Sequence, residues 1–153
     1  MDDFSHALWS YVLFSKTPFA LLAAVVSILP DVLPFIPSVL HNWSQGKFIG
    51  KLRVKQMPKF LQHYVHIVFG VTHSLIIAII VSVIVLLVWP EQWWILVWPL
   101  HVLIDIFTHA KEEPTLFLWP LSEYGYGGWL WTWKHLAVST ALAGLVWLSM
   151  HVL

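Results

Sequence analysis

The chain has 153 residues, of which 59% are hydrophobic and 10% are charged, and its eight basic residues balance its eight acidic ones. A soluble domain carries about 25% charged residues, so this composition predicts a single membrane-embedded domain over residues 1–153. The zero net charge gives no indication of a nucleic-acid partner. The absence of cysteine excludes disulfides, thiolate metal ligands and cysteine nucleophiles.

Four apolar regions follow one another along the chain, roughly over residues 4–30, 64–89, 91–109 and 129–153. A helix that crosses about 30 Å of hydrocarbon needs ~20 residues. The second and fourth regions are long enough, and the third is just long enough. The acidic start of the chain argues against a cleaved signal peptide. The predicted fold class is therefore an all-α integral membrane protein.

The first region allows two interpretations. As one helix of ~27 residues it would span the membrane. However, Lys16 lies in its middle, and Thr17-Pro18 is a helix-start signal. A break there leaves two short helices that form a half-span hairpin, which brings His6 and Asp31 to the same end. We favour the hairpin, so the predicted fold is an N-terminal half-span helical hairpin plus three transmembrane helices.

The basic segment GKFIGKLRVKQMPK, residues 46–59, predicts the orientation. It holds five of the eight Lys and Arg residues, and short basic loops stay on the cytoplasmic side. We therefore expect a multi-pass protein of the cytoplasmic (inner) membrane, with the end of the third region on the cytoplasmic side. Membrane lipids are the expected partners. The sequence carries no signal for an oligomeric state.

Ionisable side chains concentrate in one half of the predicted membrane domain. Counting residues from the cytoplasmic helix ends brings seven of them to that half: Asp31, His66, His73, His101, Asp105, His109 and His135. Burying an Asp in a membrane helix costs about 2.5 to 3.5 kcal/mol on insertion scales, so such groups indicate a functional site. Hydrogen bonding between helices is the structural alternative. His63 and His66 can also be simple interfacial residues, and Glu112 and Glu113 a solvated loop.

A metal ion would explain this clustering. His101 and Asp105 are four residues apart and His109 lies four further on, so the three share one helical face. Imidazole and carboxylate groups suit Zn²⁺, and His73 and Asp31 can complete a site for one or two ions. A catalytic zinc keeps one position open for water, whose pKa falls to ~7. His109 is then a ligand or a proton shuttle, and Asp105 ligates the metal or orients a histidine.

Other catalytic patterns are missing from the sequence. There is no GxSxG motif, which argues against a nucleophile elbow. Ser74 follows His73 directly, and neighbouring residues point to different faces of a helix, so a Ser–His relay has poor geometry.

Five short motifs occur in an order that resembles a known family: FSHALW, ILPDV, THSL, HVLIDIFTHA and FLWPLS. The chain resembles the membrane-bound metal-dependent hydrolases, an inner-membrane family described as LexA-binding. This family is distantly similar to zinc-dependent phospholipase C. The resemblance covers nearly the whole chain and implies a helical core built around His-x3-Asp pairs.

The resemblance implies a set of metal ligands, since the family's motif residues fall on His6, Asp31, His73, His101 and Asp105. A ligand role for His6 requires the hairpin, because a single span would place it across the membrane from the LPD aspartate. The chain also departs from the family. Leu33 stands where a second acidic residue is common, and Val68 and Phe69 occupy the place of a basic residue. These departures put a two-metal site in doubt and suggest His109 as a substitute ligand.

The sequence therefore predicts a zinc-dependent membrane hydrolase, with Asp105 and His109 as its catalytic residues. Its substrate would be an ester or phosphodiester of a lipid-like molecule at the cytoplasmic half of the membrane. A metal or proton transporter using the same residues is one alternative. A non-catalytic membrane protein whose histidines only join helices is the other.

Overall fold

A computed structural model describes residues 1–44, 46, 57–109, 114–129 and 131–152. The protein is all-helical, with 74% helix, and the described residues form no strand beyond an isolated bridge between Thr115 and Tyr126. Most of the basic segment, residues 47–56, and the acidic pair Glu112 and Glu113 lie outside the described residues. The predicted orientation, which depends on the basic segment, stays a prediction.

The described chain contains seven α-helices: α1 Asp3–Leu13, α2 Ala20–Val32, α3 Ile36–Ser44, α4 Lys59–Thr72, α5 Leu75–Val88, α6 Val97–Thr108 and α7 Trp133–Val152. A 3-10 turn over Leu33–Phe35 joins α2 to α3, and a second one over Trp93–Leu96 leads into α6.

Helices α1 and α2 form an antiparallel hairpin. Asp2 begins α1 by accepting a hydrogen bond from the Ser5 amide at 2.9 Å. At the closed end, Phe14 packs with Ala23 and with Val97 of α6 in a small buried core. Residues 4–30 therefore do not form one continuous helix, and the two-helix interpretation describes the chain. The depth of this hairpin in a membrane stays a prediction.

The second arm of the hairpin is longer than predicted. It passes Pro30 and continues through the 3-10 turn into α3, so that Ala20–Ser44 forms a 25-residue helical segment, long and apolar enough to span a membrane. The predicted end near residue 30 is wrong because α2 continues past Pro30 to Val32, and the next proline fits the first turn of the following helical segment. Pro34 lies at such a position in the 3-10 turn.

The second apolar region contains a break that the sequence analysis missed. Helices α4 and α5 meet at an angle of 56° instead of forming one helix. Backbone groups freed at the break find other partners, since the Trp98 indole donates to the Thr72 carbonyl at 2.7 Å and the Leu75 amide donates to the Phe117 carbonyl at 2.9 Å. Helix breaks within a membrane need such replacement partners. The break leaves His73 and Ser74 between the two helices.

Two helical segments, Ala20–Ser44 and Trp133–Val152, have the length and apolar composition of membrane spans, and counting the bent α4–α5 pair gives up to three. The length and apolar composition of these segments indicate membrane association. The apolar helical segment Trp93–Thr108 falls below the length of such a span, so the third predicted transmembrane helix is shorter than expected. The number of crossings and the identity of the membrane stay predictions.

The candidate site lies where α1, α2, α4 and α6 meet. Helix α2 packs against α1, α4 and α6, whereas α7 packs mainly against α1. The contact between α1 and α7 includes a hydrogen bond from the Trp9 indole to the Ser139 hydroxyl at 2.7 Å.

Candidate metal centre

Four side chains from three helices converge on one point. His6 of α1, Asp31 of α2, and His101 and Asp105 of α6 each offer a ligand atom, and these atoms lie within 4.8 Å of one another. His6, His101 and Asp105 are at most 3% exposed. The hairpin contributes His6 and Asp31, and one face of α6 contributes His101 and Asp105. This buried group can hold a metal ion.

Asp105 lies at the centre of the group. Its Oδ1 is 2.9 Å from His6 Nε2, and its Oδ2 is 3.1 Å from His101 Nε2 and 3.3 Å from His109 Nε2. His109 follows the last residue of α6 and keeps 20% of its side-chain surface exposed. As predicted from their spacing, His101, Asp105 and His109 lie together, with His109 at the rim of the centre.

His73 reaches the centre from the α4–α5 break. Its Nε2 lies 3.0 Å from Asp31 Oδ1, and its ring stacks on Phe69 with centroids 3.9 Å apart. Its Nδ1 hydrogen-bonds to the Phe69 carbonyl at 3.3 Å and to the Thr72 hydroxyl at 3.1 Å. A carbonyl can only accept, so Nδ1 carries a proton. Its Nε2 hydrogen-bonds to Asp31 Oδ1, so contacts at both ring nitrogens fix the orientation of His73 beside Asp31.

Three buried atoms at the centre, Asp31 Oδ2, His101 Nε2 and Asp105 Oδ2, have no hydrogen-bond partner among the described residues. The imidazole nitrogen nevertheless lies 3.1 Å from the Asp105 oxygen and 3.8 Å from the Asp31 oxygen. Two ligands of a tetrahedral metal ion are about 3.4 Å apart, given metal–ligand distances of ~2.1 Å. Unsatisfied buried polar groups call for an explanation, and the donor set and spacing here fit a bound metal ion.

The charge of the centre also suits a divalent cation. With neutral histidines, Asp31 and Asp105 contribute two negative charges, and the Asp105 side chain has no exposed surface. Buried charges need a counter-charge. The Met1 ammonium group supplies one positive charge at 2.7 Å from Asp105 Oδ1.

Asp3 is an acidic residue beside the centre that the sequence analysis did not single out. It lines a surface groove together with Asp31, whose side chain is 16% exposed. Although Asp3 itself is exposed, partial desolvation of its carboxylate and the nearby Asp31 charge raise its pKa above the ordinary value. The centre is therefore accessible from the Asp31 side.

Two residues predicted to join the cluster do not reach it. His66 is exposed on α4 and lies 3.5 Å from Glu123, and His135 is exposed and bonds to Thr132. The prediction compared only depth along the helices, whereas the direction of each side chain decides which residues meet. His66 and His73 do not share a helical stripe, because α4 ends at Thr72. His63 is likewise exposed.

Two threonines support the ligands and were missed in the sequence. The Thr108 hydroxyl lies 3.3 Å from Asp105 Oδ1. The Thr72 hydroxyl donates to the Pro30 carbonyl at 3.0 Å, which has no helical partner because Pro34 lacks an amide proton. Both threonines could have been found in the sequence from their spacing. Thr108 lies three residues after Asp105, on the same helical face, and Thr72 directly precedes His73.

Ser74 has a structural role in the described chain. Its hydroxyl donates to the Trp119 carbonyl and accepts from the Ile77 amide at 3.1 Å, which caps the start of α5. No hydrogen bond to His73 is among these contacts, in keeping with the poor geometry expected for a Ser–His relay.

The chain has no match among protein-family models, curated proteins or solved structures. The resemblance to the membrane-bound metal-dependent hydrolases is thus not tested by these comparisons. The residues of the centre are the basis for any statement about function.

Proposed function

We propose that the protein is a zinc-dependent hydrolase of the cytoplasmic membrane that cleaves an ester or phosphodiester in a lipid-like substrate, as its resemblance to the membrane-bound metal-dependent hydrolases implies. His6, Asp31, His101 and Asp105 hold the ion, and His73 supports or completes the ligand set. The observation that carries the proposal is the convergence of His6, Asp31, His101 and Asp105, whose ligand atoms lie within 4.8 Å of one another.

Each residue has a defined task in this proposal. A bound zinc ion supplies Lewis-acid polarisation of the scissile bond and lowers the pKa of a water molecule. Asp105 fixes His101 and His109 through contacts of 3.1 and 3.3 Å. His109, at the partly exposed rim, takes up the proton released during hydrolysis and passes it to solvent. The buried walls keep bulk water away from the other ligands.

A lipid-like substrate suits the surroundings of the centre. Asp31 belongs to the candidate span Ala20–Ser44, whose mean hydropathy is 2.0 and of which only 22% is buried inside the protein. A molecule that approaches Asp31 in a membrane therefore comes from the hydrocarbon or the interface.

The transporter alternative needs polar groups on both sides of the centre. Helix α5, LIIAIIVSVIVLLV, carries no ionisable side chain over its whole length. Intramembrane proton and ion pathways are lined by such groups. The apolar character of α5 therefore favours a closed hydrolytic site over a path across the membrane.

Hydrolysis of a lipid panel tests the proposal. The purified protein, in nanodiscs, would be incubated with phosphatidylcholine, phosphatidylglycerol, a polyprenyl phosphate and an acylglycerol, and the products identified by mass spectrometry. We expect cleavage of at least one lipid class, loss of cleavage with a chelator, and recovery with zinc. Asp105→Asn should be inactive, whereas His63→Ala, which changes an exposed histidine of α4, should match the wild type.

Metal flux across proteoliposomes is the companion measurement. Zinc or proton flux without hydrolysis of any panel member would replace the hydrolase by the transporter. Hydrolysis that persists without metal would also contradict the proposal.

A further inference from the structure

A hydrogen bond between two separate helices lies directly beside His73. Trp98, near the start of α6, donates its indole N–H to the carbonyl of Thr72 at 2.7 Å. Thr72 is the last residue of α4, and His73 follows it in the α4–α5 break. The backbone that carries His73 is therefore tied to α6.

Trp98 lies on the face of α6 that carries metal ligands. From Trp98 the offsets to His101 and Asp105 are 3 and 7 residues, which is the spacing of a single helix face. The His101 ring meets the His73 ring edge-on, with centroids 5.5 Å apart. One face of α6 thus provides two ligands and, about one turn away, the donor that holds the residue before His73.

The Thr72 carbonyl needs a donor from outside its helix. The last four carbonyls of a helix have no intrahelical partner, and Thr72 is buried, so a lost donor leaves an unsatisfied polar group. The start of α5 is held separately, because the Leu75 amide donates to the Phe117 carbonyl at 2.9 Å and Ser74 caps the helix. Loss of the indole donor should therefore loosen the end of α4 and leave α5 in place.

We propose that Trp98 is a positioning residue of the candidate metal centre. Its hydrogen bond fixes the end of α4 against α6 and thereby holds His73 Nε2 at 3.0 Å from Asp31 and in a constant arrangement relative to His101. An indole N–H can only donate, so Trp98 is no ligand and acts through His73. This inference rests on the proposed function for the metal centre but not for the cleavage of a lipid.

Cobalt(II) binding tests the inference, because the visible spectrum of this ion depends on the number and arrangement of its ligands. The full chain in nanodiscs would be titrated with cobalt, and Trp98→Phe compared with the wild type. The variant keeps an aromatic ring but has no N–H donor. We expect its cobalt affinity to fall by about 10–100-fold, as for the loss of an outer-shell partner, and its visible absorption to shift. An unchanged affinity and spectrum would overturn the inference.

Trp94→Phe is the matched control. Trp94 is half-buried like Trp98, but its indole donates to Gln92, outside the ligand set. We expect this variant to bind cobalt with the affinity and spectrum of the wild type. Thermal unfolding, followed by circular dichroism, verifies that both variants fold. Equal effects of the two exchanges would mean that losing an indole N–H weakens the fold in general, which contradicts the inference.

Nitrogen NMR of the histidines gives a second test that needs no metal. Isotope-labelled histidine is incorporated into the full chain, and the His73 signals are assigned with the His73→Asn variant. Trp98→Phe should shift these signals, because movement of Thr72 changes the contacts at both ring nitrogens. The signals of His63, an exposed histidine of α4, should not move. Unchanged His73 signals would count against a positioning role.

Cobalt binding and lipid hydrolysis together separate this inference from the proposed function. Cobalt binding that depends on Trp98, without cleavage of any lipid, would uphold the positioning role and reject the hydrolase. Cleavage of lipids with equal cobalt binding by Trp98→Phe and Trp94→Phe would do the reverse. Absence of cobalt binding by the wild type would reject both.

Discussion

His101 Nε2 lies 3.1 Å from Asp105 Oδ2, and neither atom has a hydrogen-bond partner among the described residues. The two side chains are one turn apart on α6 and are almost completely buried. A buried carboxylate needs a counter-charge or hydrogen-bond donors, and a metal ion held between Asp105 and His101 would satisfy both atoms. Asp31 Oδ2, 3.8 Å from the same nitrogen, approaches from another helix. This relationship is the basis for the predictions below.

Asp105→Asn should lower zinc affinity by more than about 100-fold, because replacing an outer-shell partner alone already costs ~10–100-fold. Asparagine keeps the shape of the side chain but removes the charge that contacts His6, His101 and His109. Competition with a chromophoric chelator measures the affinity. His63→Ala is the control and should bind zinc as the wild type does. Undiminished binding by Asp105→Asn would remove Asp105 from the ligand set.

Thr72→Val should weaken zinc binding by about 10–100-fold, as the loss of an outer-shell partner does. The hydroxyl orients His73 through Nδ1 and also satisfies the Pro30 carbonyl. The two contacts hold His73 and Pro30, which both lie next to Asp31. The matched control is Thr140→Val, which changes an exposed threonine of α7. The same competition assay applies, and equal affinities for the two variants would show that Thr72 does not position the ligands.

Ser74→Ala should lower the free energy of unfolding by about 1–2 kcal/mol, because it removes the cap of α5. It also removes the hydrogen bond to the Trp119 carbonyl. Zinc content and lipid hydrolysis should remain at wild-type levels, since Ser74 has no chemical task in the proposed mechanism. Thermal unfolding, followed by circular dichroism, measures the change in the free energy of unfolding. Normal zinc content with abolished hydrolysis would instead make Ser74 a nucleophile.

Removal of the metal should destabilise the protein. A ligand present at 1,000 times its dissociation constant adds ~4 kcal/mol to the folded state, which for a chain of about 150 residues corresponds to a rise of ~8 °C or more in Tm. Melting with excess zinc and with a chelator, followed by tryptophan fluorescence, measures this shift. The His101→Ala/Asp105→Ala variant should show no shift. Identical melting curves for the wild type would argue that the cluster binds no ion.

Local spacing made part of the site predictable from the sequence. The positions of His101, Asp105 and His109 follow from helix geometry alone, and the break near Thr17-Pro18 indicated that His6 and Asp31 would meet. The position of His73 in a helix break was not predictable in this way. The segment around it contains neither proline nor an adjacent glycine pair, and the break depends on distant partners such as Trp98 and Phe117.

The sequence analysis was wrong where it compared the depth of residues along the helices but not the direction in which their side chains point. His66 and His135 lie on the expected half of the molecule by residue count but face outward. The length of the second hairpin arm was underestimated because the region was ended at residue 30, although Pro30 lies inside α2 and Pro34 fits the first positions of the next helical turn. Packing between distant segments determines the direction in which His66 and His135 face, and no local pattern encodes that direction.

Metal content of the purified protein is the most direct test of the candidate centre. Mass spectrometry would compare the wild type with the His101→Ala/Asp105→Ala variant after zinc supplementation, with matched folding checked by circular dichroism. We expect near-stoichiometric zinc in the wild type and none in the variant. Absence of metal from both proteins would contradict the metal centre and leave HVLIDIFTHA as a hydrogen-bonded contact between helices.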